Sequence, residues 1–407
     1  MSYLDQMPEK IEIPGAKSFS SAKLIGHLLA EEMRKDPHLY LFSPDETTSN
    51  KLDEVYEASE RAWDLPQRTW DLPEAESGRI VELLSENTLF AAQVGHVLGS
   101  KEQAFMTSYE SFFQIISSQI LQHLKFLKQV EEAEWRKNVD GTPETFPAIN
   151  LLSTSTCWRQ DHNGFSHQSP ALISTLLSVP DARVNCLFPI DDVAAAAAFD
   201  FMLDSKNVVN LTTFNKTDEP RWIDRNHAKF QLENGGASVL GFSSNCTEDE
   251  EPDYTFVSAG DIISRETIKA VEILKEDLPY LKIRTVNIAA LSYNVIGTTK
   301  NPLDLTTFNR YFGEHSTIIA NFHGYPETLK NILKNYADPI RIRAHGFSEQ
   351  GSTTTPFEML SLNHASRFDL ALEVARDQNR EDLITKYENL LKLNHEHALE
   401  LGTDLLL

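Results

Sequence analysis

Short apolar runs alternate with segments of helical spacing through the first half of this chain. The runs that predict strands are Leu39–Phe42, Ala104–Met106, Ala148–Leu152, Val184–Phe188 and Val208–Thr213, with a further apolar run at Arg79–Leu84. The predicted helices are Leu24–Arg34, Thr88–Val97 (capped by Ser85, Glu86 and Asn87), Tyr109–Glu134, Pro170–Leu177 and Val193–Leu203. Residues 45–78 are polar and predict a long loop with short helices. Strands that alternate with helices indicate an α/β fold with a mostly parallel sheet.

An acidic run, Glu248–Asp253, interrupts the alternation and is typical of an interdomain linker. A second α/β set follows it, and two helices are predicted to close the chain. The strands of this set are Tyr254–Ser258, Lys282–Asn287, Ser316–Phe322 and Ile340–Ala344, and its first helices are Arg265–Leu274, Leu305–Phe312 and Pro326–Tyr336. We therefore predict two consecutive open, mostly parallel sheets flanked by helices. The first domain is placed at residues 1–246 and the second at 247–407.

The charge balance restricts the classes of partner. A net charge of −23 disfavours nucleic acid or an anionic membrane as the main partner, although a local basic cluster can still bind phosphate. The N-terminus, Met1–Lys17, lacks the apolar core of a signal peptide, and the most apolar segment, Val193–Leu203, is too short to span a bilayer. These features favour a cytoplasmic protein that binds neither nucleic acid nor membrane.

The stretch Trp158–Gln168 is dense in hydrogen-bonding side chains of several kinds. It follows a predicted strand and contains one cation, two imidazoles, three amides, a carboxylate and a hydroxyl. A loop of this composition at a strand end suits a small anionic ligand, although a structural hydrogen-bonded loop is the alternative. His162 and His167 are five residues apart, which is not the spacing of a helical zinc pair. The three cysteines are far apart, so we expect no metal site.

Four other features are candidates, and each has a common structural alternative. The Asp45–Lys51 loop offers Ser49 and Lys51 to an anion, but such turns usually cap helices. Glu86 is either a helix-capping carboxylate or a buried acid that hydrogen-bonds a heterocycle. Tyr109 and Phe112 belong either to the core or to a stacking face for a flat ring. Lys216 follows a predicted strand, where a lysine is most often solvated.

Together these pieces resemble the C-terminal half of a phosphoketolase, a thiamine-diphosphate enzyme related to transketolase. The resemblance covers about residues 15–375. It is carried by Ser43–Asn50, Gly78–Glu86, Ser108–Phe112, Trp158–Gln168, Phe322–Pro326 and Thr353–Phe357. The resemblance implies a pyrimidine-binding domain followed by a transketolase-like C-terminal domain. It also implies a lyase of carbohydrate metabolism, which cleaves xylulose 5-phosphate or fructose 6-phosphate with phosphate to acetyl phosphate and an aldose phosphate.

The resemblance also assigns roles to residues. Glu86 would contact the aminopyrimidine of thiamine diphosphate as a catalytic group, Phe112 would stack on that ring, and Tyr109 would line the same pocket. His167 would transfer protons to and from substrate hydroxyls, and His162 is grouped with it as catalytic. The residues that would bind the sugar phosphate or inorganic phosphate are Ser49, Lys51, Gln160, His162, Asn163 and Lys216. Lys51 stands where an arginine is usual, which removes a bidentate contact to phosphate.

The half that carries the magnesium–diphosphate motif in this family has no counterpart in the sequence. We therefore expect the chain to be inactive alone, either as an excised C-terminal region, which we favour, or as one chain of a split enzyme. A partner with the diphosphate-binding half and a homodimeric assembly are expected. Two other interpretations stay open: a non-catalytic anion-binding or regulatory relative, and the pyrimidine-binding chain of a split transketolase.

Overall fold

A computed structural model describes residues 2–66, 68–71, 74–181 and 183–405 of the chain. Its strands are β1 Ser18–Ser20, β2 Tyr40–Ser43, β3 Arg61–Ala62, β4 Glu74–Ala75, β5 Ile80–Glu82, β6 Ala104–Tyr109, β7 Ile149–Thr154, β8 Val184–Leu187, β9 Val209–Thr213, β10 Asp218–Pro220, β11 Ala237–Val239, β12 Tyr254–Ala259, β13 Ile283–Ile288, β14 Ala290–Ser292, β15 Val295–Ile296, β16 Thr317–Phe322 and β17 Ile342–Gly346. Its α-helices are α1 Ser21–Lys35, α2 Glu86–Ser100, α3 Ser117–Glu132, α4 Ala171–Leu177, α5 Asp192–Asp204, α6 Arg225–Glu233, α7 Asp261–Asp277, α8 Leu305–Phe312, α9 Pro326–Leu333, α10 Pro356–Leu362, α11 Arg367–Asp377 and α12 Glu381–Leu401.

The first sheet has ten strands in the order β15-β14-β8-β9-β7-β6-β2-β5-β3-β4. The six strands from β8 to β5 in this order all run parallel to one another. Their carboxyl ends therefore lie along one edge, where open α/β sheets bind ligands. The predicted α/β class with mostly parallel sheets is confirmed.

The second sheet has five strands in the order β11-β13-β12-β16-β17, and only β11 is antiparallel to its neighbour. The two sheets exchange short strands across the predicted boundary. β11 precedes residue 247 but pairs with β13, whereas β14 follows it and extends the first sheet by pairing with β8. The domain boundary at 246/247 stays a prediction.

Burial explains why the apolar runs form strands. Every residue of β7, β8, β9, β12 and β13 is buried, as expected of parallel strands covered by helices on both faces. Helix α2 begins where the Ser85 hydroxyl accepts a hydrogen bond from the Thr88 N–H at 3.3 Å. This cap places the Glu86 carboxylate in the first helical turn. Among the described residues, no helix combines the length and apolar character needed to cross a membrane.

The prediction of one long helix at Tyr109–Glu134 is wrong. Tyr109 ends strand β6, the residues Glu110–Ile116 form a 3₁₀ helix, and α3 begins only at Ser117. The buried side chains of Phe113, Ile116 and Ile120 recur at intervals of three and four residues, so periodicity does not distinguish the 3₁₀ segment from an α-helix.

The end of the chain also differs from prediction. Three α-helices follow the last strand where two were expected, because Asn363 ends α10 and the Ser366 capping box starts α11. The last strand begins at Ile342 rather than Ile340, since Pro339–Arg341 forms a 3₁₀ turn. In the region 45–78 the structure shows a short 3₁₀ helix, Asp53–Glu57, and the two-residue strands β3 and β4, and residues 67, 72 and 73 lie outside the described part.

Candidate active site

The carboxyl edge of the first sheet collects most of the predicted site residues. Glu46 follows β2, Glu86 follows β5, Tyr109 ends β6, the 158–168 loop follows β7, and Lys216 follows β9. These five strands run parallel, so residues far apart in sequence share one edge. The edge therefore brings together aromatic, acidic and basic side chains from five separate segments.

Aromatic rings form the centre of this edge. The rings of Tyr109 and Phe112 are stacked, with centroids 6.0 Å apart and planes at 6°. The His167 ring meets Phe112 edge-on at 5.2 Å, and the Lys216 ammonium nitrogen lies 5.1 Å from the centre of the Tyr109 ring. Tyr109 and Phe112 are only partly buried, which leaves ring surface for another flat group.

Glu46 is a site residue that sequence reasoning did not single out. Its Oε2 atom accepts a hydrogen bond from the Tyr109 backbone N–H at 2.7 Å. The pKa of Glu46 is raised to about 7, chiefly by burial and also by the nearby Glu86 carboxylate. The Tyr109 N–H, the Ser108 hydroxyl and the Lys216 ammonium partly offset this rise. Glu86 therefore lies close enough to Glu46 for their charges to interact. Its side chain forms no hydrogen bond or ion pair with the other described residues.

We expect the Glu46→Gln variant to lose less stability than the wild type as pH rises. The folded-state pKa of about 7 exceeds the ordinary value of 4.5, so the folded state holds the Glu46 proton more tightly. Wild-type stability from this group is therefore present at low pH and is lost between pH about 4.5 and about 7. Thermal unfolding midpoints measured across that range test the difference. The exposed Glu60→Gln variant is the control, and identical pH profiles for Glu46→Gln and wild type would refute the prediction.

The polar side chains of the 158–168 loop differ in their exposure to solvent. Gln160 is fully buried: its Oε1 atom accepts a hydrogen bond from Asn163 at 2.6 Å, and its backbone carbonyl accepts one from Gln168. The Gln160 Nε2 atom is buried without a partner among the described residues. His162 and Asn163 are exposed, whereas His167 is half-buried against the aromatic rings. The loop therefore offers an unused amide donor and two imidazoles at different depths.

Ser49 and Lys51 make fewer contacts with the other candidate site residues. Both are exposed; the Ser49 hydroxyl donates to the Glu46 carbonyl at 3.1 Å, and Lys51 adopts a left-handed backbone conformation with φ of 64°. Their neighbour Asn50 accepts a hydrogen bond from the Ser155 hydroxyl at 2.9 Å. This bond places the Ser49–Lys51 turn beside the end of β7. Within the described residues, no hydrogen bond or cation–π contact joins Ser49 or Lys51 to the aromatic rings.

A buried acidic residue, Glu110, follows Tyr109 in the chain and begins the 3₁₀ helix that carries Phe112. Its Oε2 atom accepts a hydrogen bond from the Cys157 N–H at 2.7 Å, and its Oε1 atom is 2.7 Å from the His323 Nε2 atom. Burial alone would lower the pKa of His323, but the Glu110 carboxylate and, to a smaller extent, Asp261 together outweigh burial and the pKa is raised. Burial and the same carboxylate raise the pKa of the Cys157 thiol.

The Glu110, Cys157 and His323 side chains are near enough to be considered as metal ligands. The 2.7 Å separation of Glu110 from His323 is that of a direct hydrogen bond, which accounts for this contact without an ion. The expectation of no metal site therefore stays a prediction. The sequence did not indicate that Glu110 and His323 contact each other, although they lie in the motifs Ser108–Phe112 and Phe322–Pro326.

The fold is similar to that of transketolases. A transketolase from Pichia stipitis in complex with sedoheptulose 7-phosphate aligns with a TM-score of 0.68 and 14% identity, over 92% of this chain and 48% of the other. A split-gene transketolase, described as an inactive β4 tetramer, aligns with a TM-score of 0.55 and 13% identity over 88% of this chain and 97% of its own. At these identities the similarity shows the fold alone.

Sequence comparisons are more specific. A model of D-xylulose 5-phosphate/D-fructose 6-phosphate phosphoketolase matches residues 23–205, and a model of the C-terminal domain of that family matches residues 216–406. A probable phosphoketolase from Brucella suis is 33% identical over 403 residues, and one from Rhodopseudomonas palustris (strain HaA2) is 34% identical over 371. The alignments cover 96% and 90% of this chain but 50% and 46% of those proteins. The chain belongs to the phosphoketolase family and spans about half the length of these relatives.

Proposed function

We propose that this chain supplies one wall of the active site of a thiamine-diphosphate-dependent phosphoketolase. The complete enzyme would cleave xylulose 5-phosphate, fructose 6-phosphate or both, with inorganic phosphate, to acetyl phosphate and an aldose phosphate. A polypeptide segment with the diphosphate-binding half would supply the other wall and the magnesium site. The observation that carries the proposal is that Glu86, the stacked rings and the 158–168 loop share one sheet edge.

The residues of this edge suit the pyrimidine end of the cofactor. Tyr109 and Phe112 offer partly exposed ring surface, and the Glu86 carboxylate has no partner among the described residues. When bound, thiamine diphosphate would supply the nucleophilic carbon that adds to the ketose carbonyl. Glu86 would hold a proton at the pyrimidine ring, and the Phe112 ring would pack against it. No residue in this chain is assigned to the metal or the diphosphate.

The basic and amide groups around the rings suit a phosphorylated sugar. Lys216 stands beside the Tyr109 ring, and Gln160 has an unused donor at the base of the loop. The His167 ring lies against Phe112, and from there it would exchange protons with substrate hydroxyls. His162 and Asn163 would contact the sugar phosphate or inorganic phosphate from the exposed tip of the loop, and Ser49 and Lys51 would do so from the neighbouring turn.

Reconstitution tests this function. The chain alone and the chain mixed with a polypeptide that carries the diphosphate-binding half are given thiamine diphosphate, magnesium, phosphate and each ketose phosphate, and acetyl phosphate is measured as its hydroxamate. We expect product only from the mixture, after gel filtration has verified the complex. Sugar-phosphate transfer without acetyl phosphate would favour a split transketolase. A verified complex without any turnover would favour a non-catalytic binding relative.

The Lys216→Met variant is expected to bind inorganic phosphate about ten-fold more weakly than the wild-type chain. The variant keeps an unbranched side chain one atom shorter but removes a charged donor, and hydrogen bonds to charged groups contribute about 1.5–3 kcal/mol. Isothermal titration calorimetry with phosphate measures the change. Lys206→Met, at an exposed lysine after α5, is the matched control. Equal affinities for the wild type and both variants would remove Lys216 from the phosphate site.

The assembly and cellular location follow from the same proposal. A chain that provides only one wall needs a partner for the other, and the split-gene transketolase named above is a case in which a chain of similar extent is separate. We propose a homodimer of complete units in the cytoplasm. A complete unit would be either one longer polypeptide or two chains.

A further inference from the structure

The second sheet and the segments that follow it hold the 158–168 loop at its start, middle and end. Three hydrogen bonds make these contacts, and each involves backbone on at least one side. They are Trp158 Nε1 to the His323 carbonyl at 2.9 Å, the Thr354 N–H to the Asp161 carbonyl at 2.9 Å, and Gln168 Nε2 to the Ser352 carbonyl at 3.0 Å. Hydrogen bonds to backbone acceptors of this kind hold the loop in position and leave the chemistry of its exposed side chains unchanged.

The base of the loop is also buried in apolar side chains from the second half of the chain. Trp158 is fully buried, and its ring meets the Phe347 ring edge-on at 5.6 Å. The remaining members of this buried cluster are Cys157, Ile262, Ile263, Met359, Leu360 and Ala365. The tip is different, because His162 and Asn163 are exposed and Phe165 is 60% exposed. The second half therefore packs around the base of the loop and leaves its tip exposed.

Glu110 connects this base to the aromatic rings. It opens the 3₁₀ helix that carries Phe112, and its two carboxylate oxygens bind the Cys157 N–H and the His323 ring. Glu110 is 3% exposed and His323 is 1% exposed. A carboxylate buried to this degree is costly without its partners. One carboxylate thus ties together the ring-bearing turn, the start of the loop and the carboxyl edge of the second sheet.

We propose that the second sheet acts as a brace that sets the 158–168 loop against the Phe112 ring, with Glu110 and His323 as the positioning pair. The role of the loop in binding a sugar phosphate rests on the proposed function; the brace itself does not. Neither Glu110 nor His323 needs to touch a substrate. Their effect would pass through the backbone of Cys157 and the orientation of Phe112.

Hydrogen–deuterium exchange of the chain tests the brace. In a His323→Leu variant the amides of residues 157–168 are expected to exchange at least about ten-fold faster, because Glu110 loses its partner. His323→Gln keeps a donor for Glu110 and is expected to recover part of the protection. His345→Leu changes a histidine of β17 that bonds the His364 carbonyl instead, and it is expected to leave these amides at the wild-type rate.

A second variant covers the case in which His323→Leu does not fold. Glu110→Leu removes both hydrogen-bonding atoms at a similar side-chain volume, and it too is expected to accelerate exchange at residues 157–168. If these amides exchanged at the wild-type rate in either folded variant, the proposal that the second sheet positions the loop would be wrong. Failure of the wild-type chain to bind phosphate would instead contradict the proposed function. The exchange rates would still test the brace, because they do not depend on phosphate binding.

Discussion

Replacing Glu86 by glutamine is expected to lower acetyl phosphate formation by the reconstituted enzyme about 100- to 10,000-fold, the usual contribution of a positioned proton-transfer group. The amide keeps the size of the side chain but cannot hold and return a proton at the pyrimidine ring. Glu86 is suited to this role because it stands in the first turn of α2, beside Glu46, with no partner among the described residues. The measurement is kcat with saturating ketose phosphate and phosphate.

The next residue in the chain provides the control. Asn87 is exposed and shares the first turn of α2, so Asn87→Ala changes the same helix end without removing the carboxylate. Its kcat is expected to stay near that of the wild type. Unchanged kcat in Glu86→Gln would exclude Glu86 from proton transfer and would favour the anion-binding interpretation of the chain.

Trp158→Ala is expected to lower the free energy of unfolding by about 3–5 kcal/mol, the range for removing a large buried aromatic side chain. Trp158 is fully buried, packs edge-on against Phe347, and donates a hydrogen bond to the His323 carbonyl at 2.9 Å. The substitution leaves a cavity and an unpaired carbonyl between the loop and the second sheet. Urea unfolding of the chain measures the loss.

Trp135 is the matched control for this prediction, because it is 80% exposed. Trp135→Ala is expected to change the unfolding free energy by less than about 0.5 kcal/mol, as most surface substitutions do. If the two variants unfolded at the same urea concentration, Trp158 would not join the loop to the second sheet as described.

The sequence predicts long buried elements well and short ones poorly. Strands such as β12, in which all six residues are buried, leave continuous apolar runs that can be recognised without a structure. The three-residue strands β11 and β14 leave no such signal, so their exchange between the sheets could not be predicted. At Tyr109–Glu134 the apolar spacing suits both 3₁₀ and α-helix, so the spacing could not predict that Glu110–Ile116 forms a 3₁₀ helix.

Some residues of the candidate site could likewise be predicted from the sequence, and others could not. The 158–168 loop could be predicted from its density of polar groups, and the approach of Tyr109 to Lys216 follows from parallel strands whose carboxyl ends share an edge. The importance of Glu46 depends on burial next to Glu86, which composition does not reveal. The Glu110–His323 contact joins residues 213 positions apart, and no local pattern in the sequence marks it.

The most direct test of the central claim is a crystal structure of the reconstituted complex with thiamine diphosphate. We expect the Glu86 carboxyl group within hydrogen-bonding distance, about 2.6–3.2 Å, of the aminopyrimidine ring. We also expect this ring to pack on Phe112 and the 158–168 loop to face the thiazolium. A pyrimidine ring bound elsewhere, with Glu86 directed into solvent, would contradict the proposed role of Glu86.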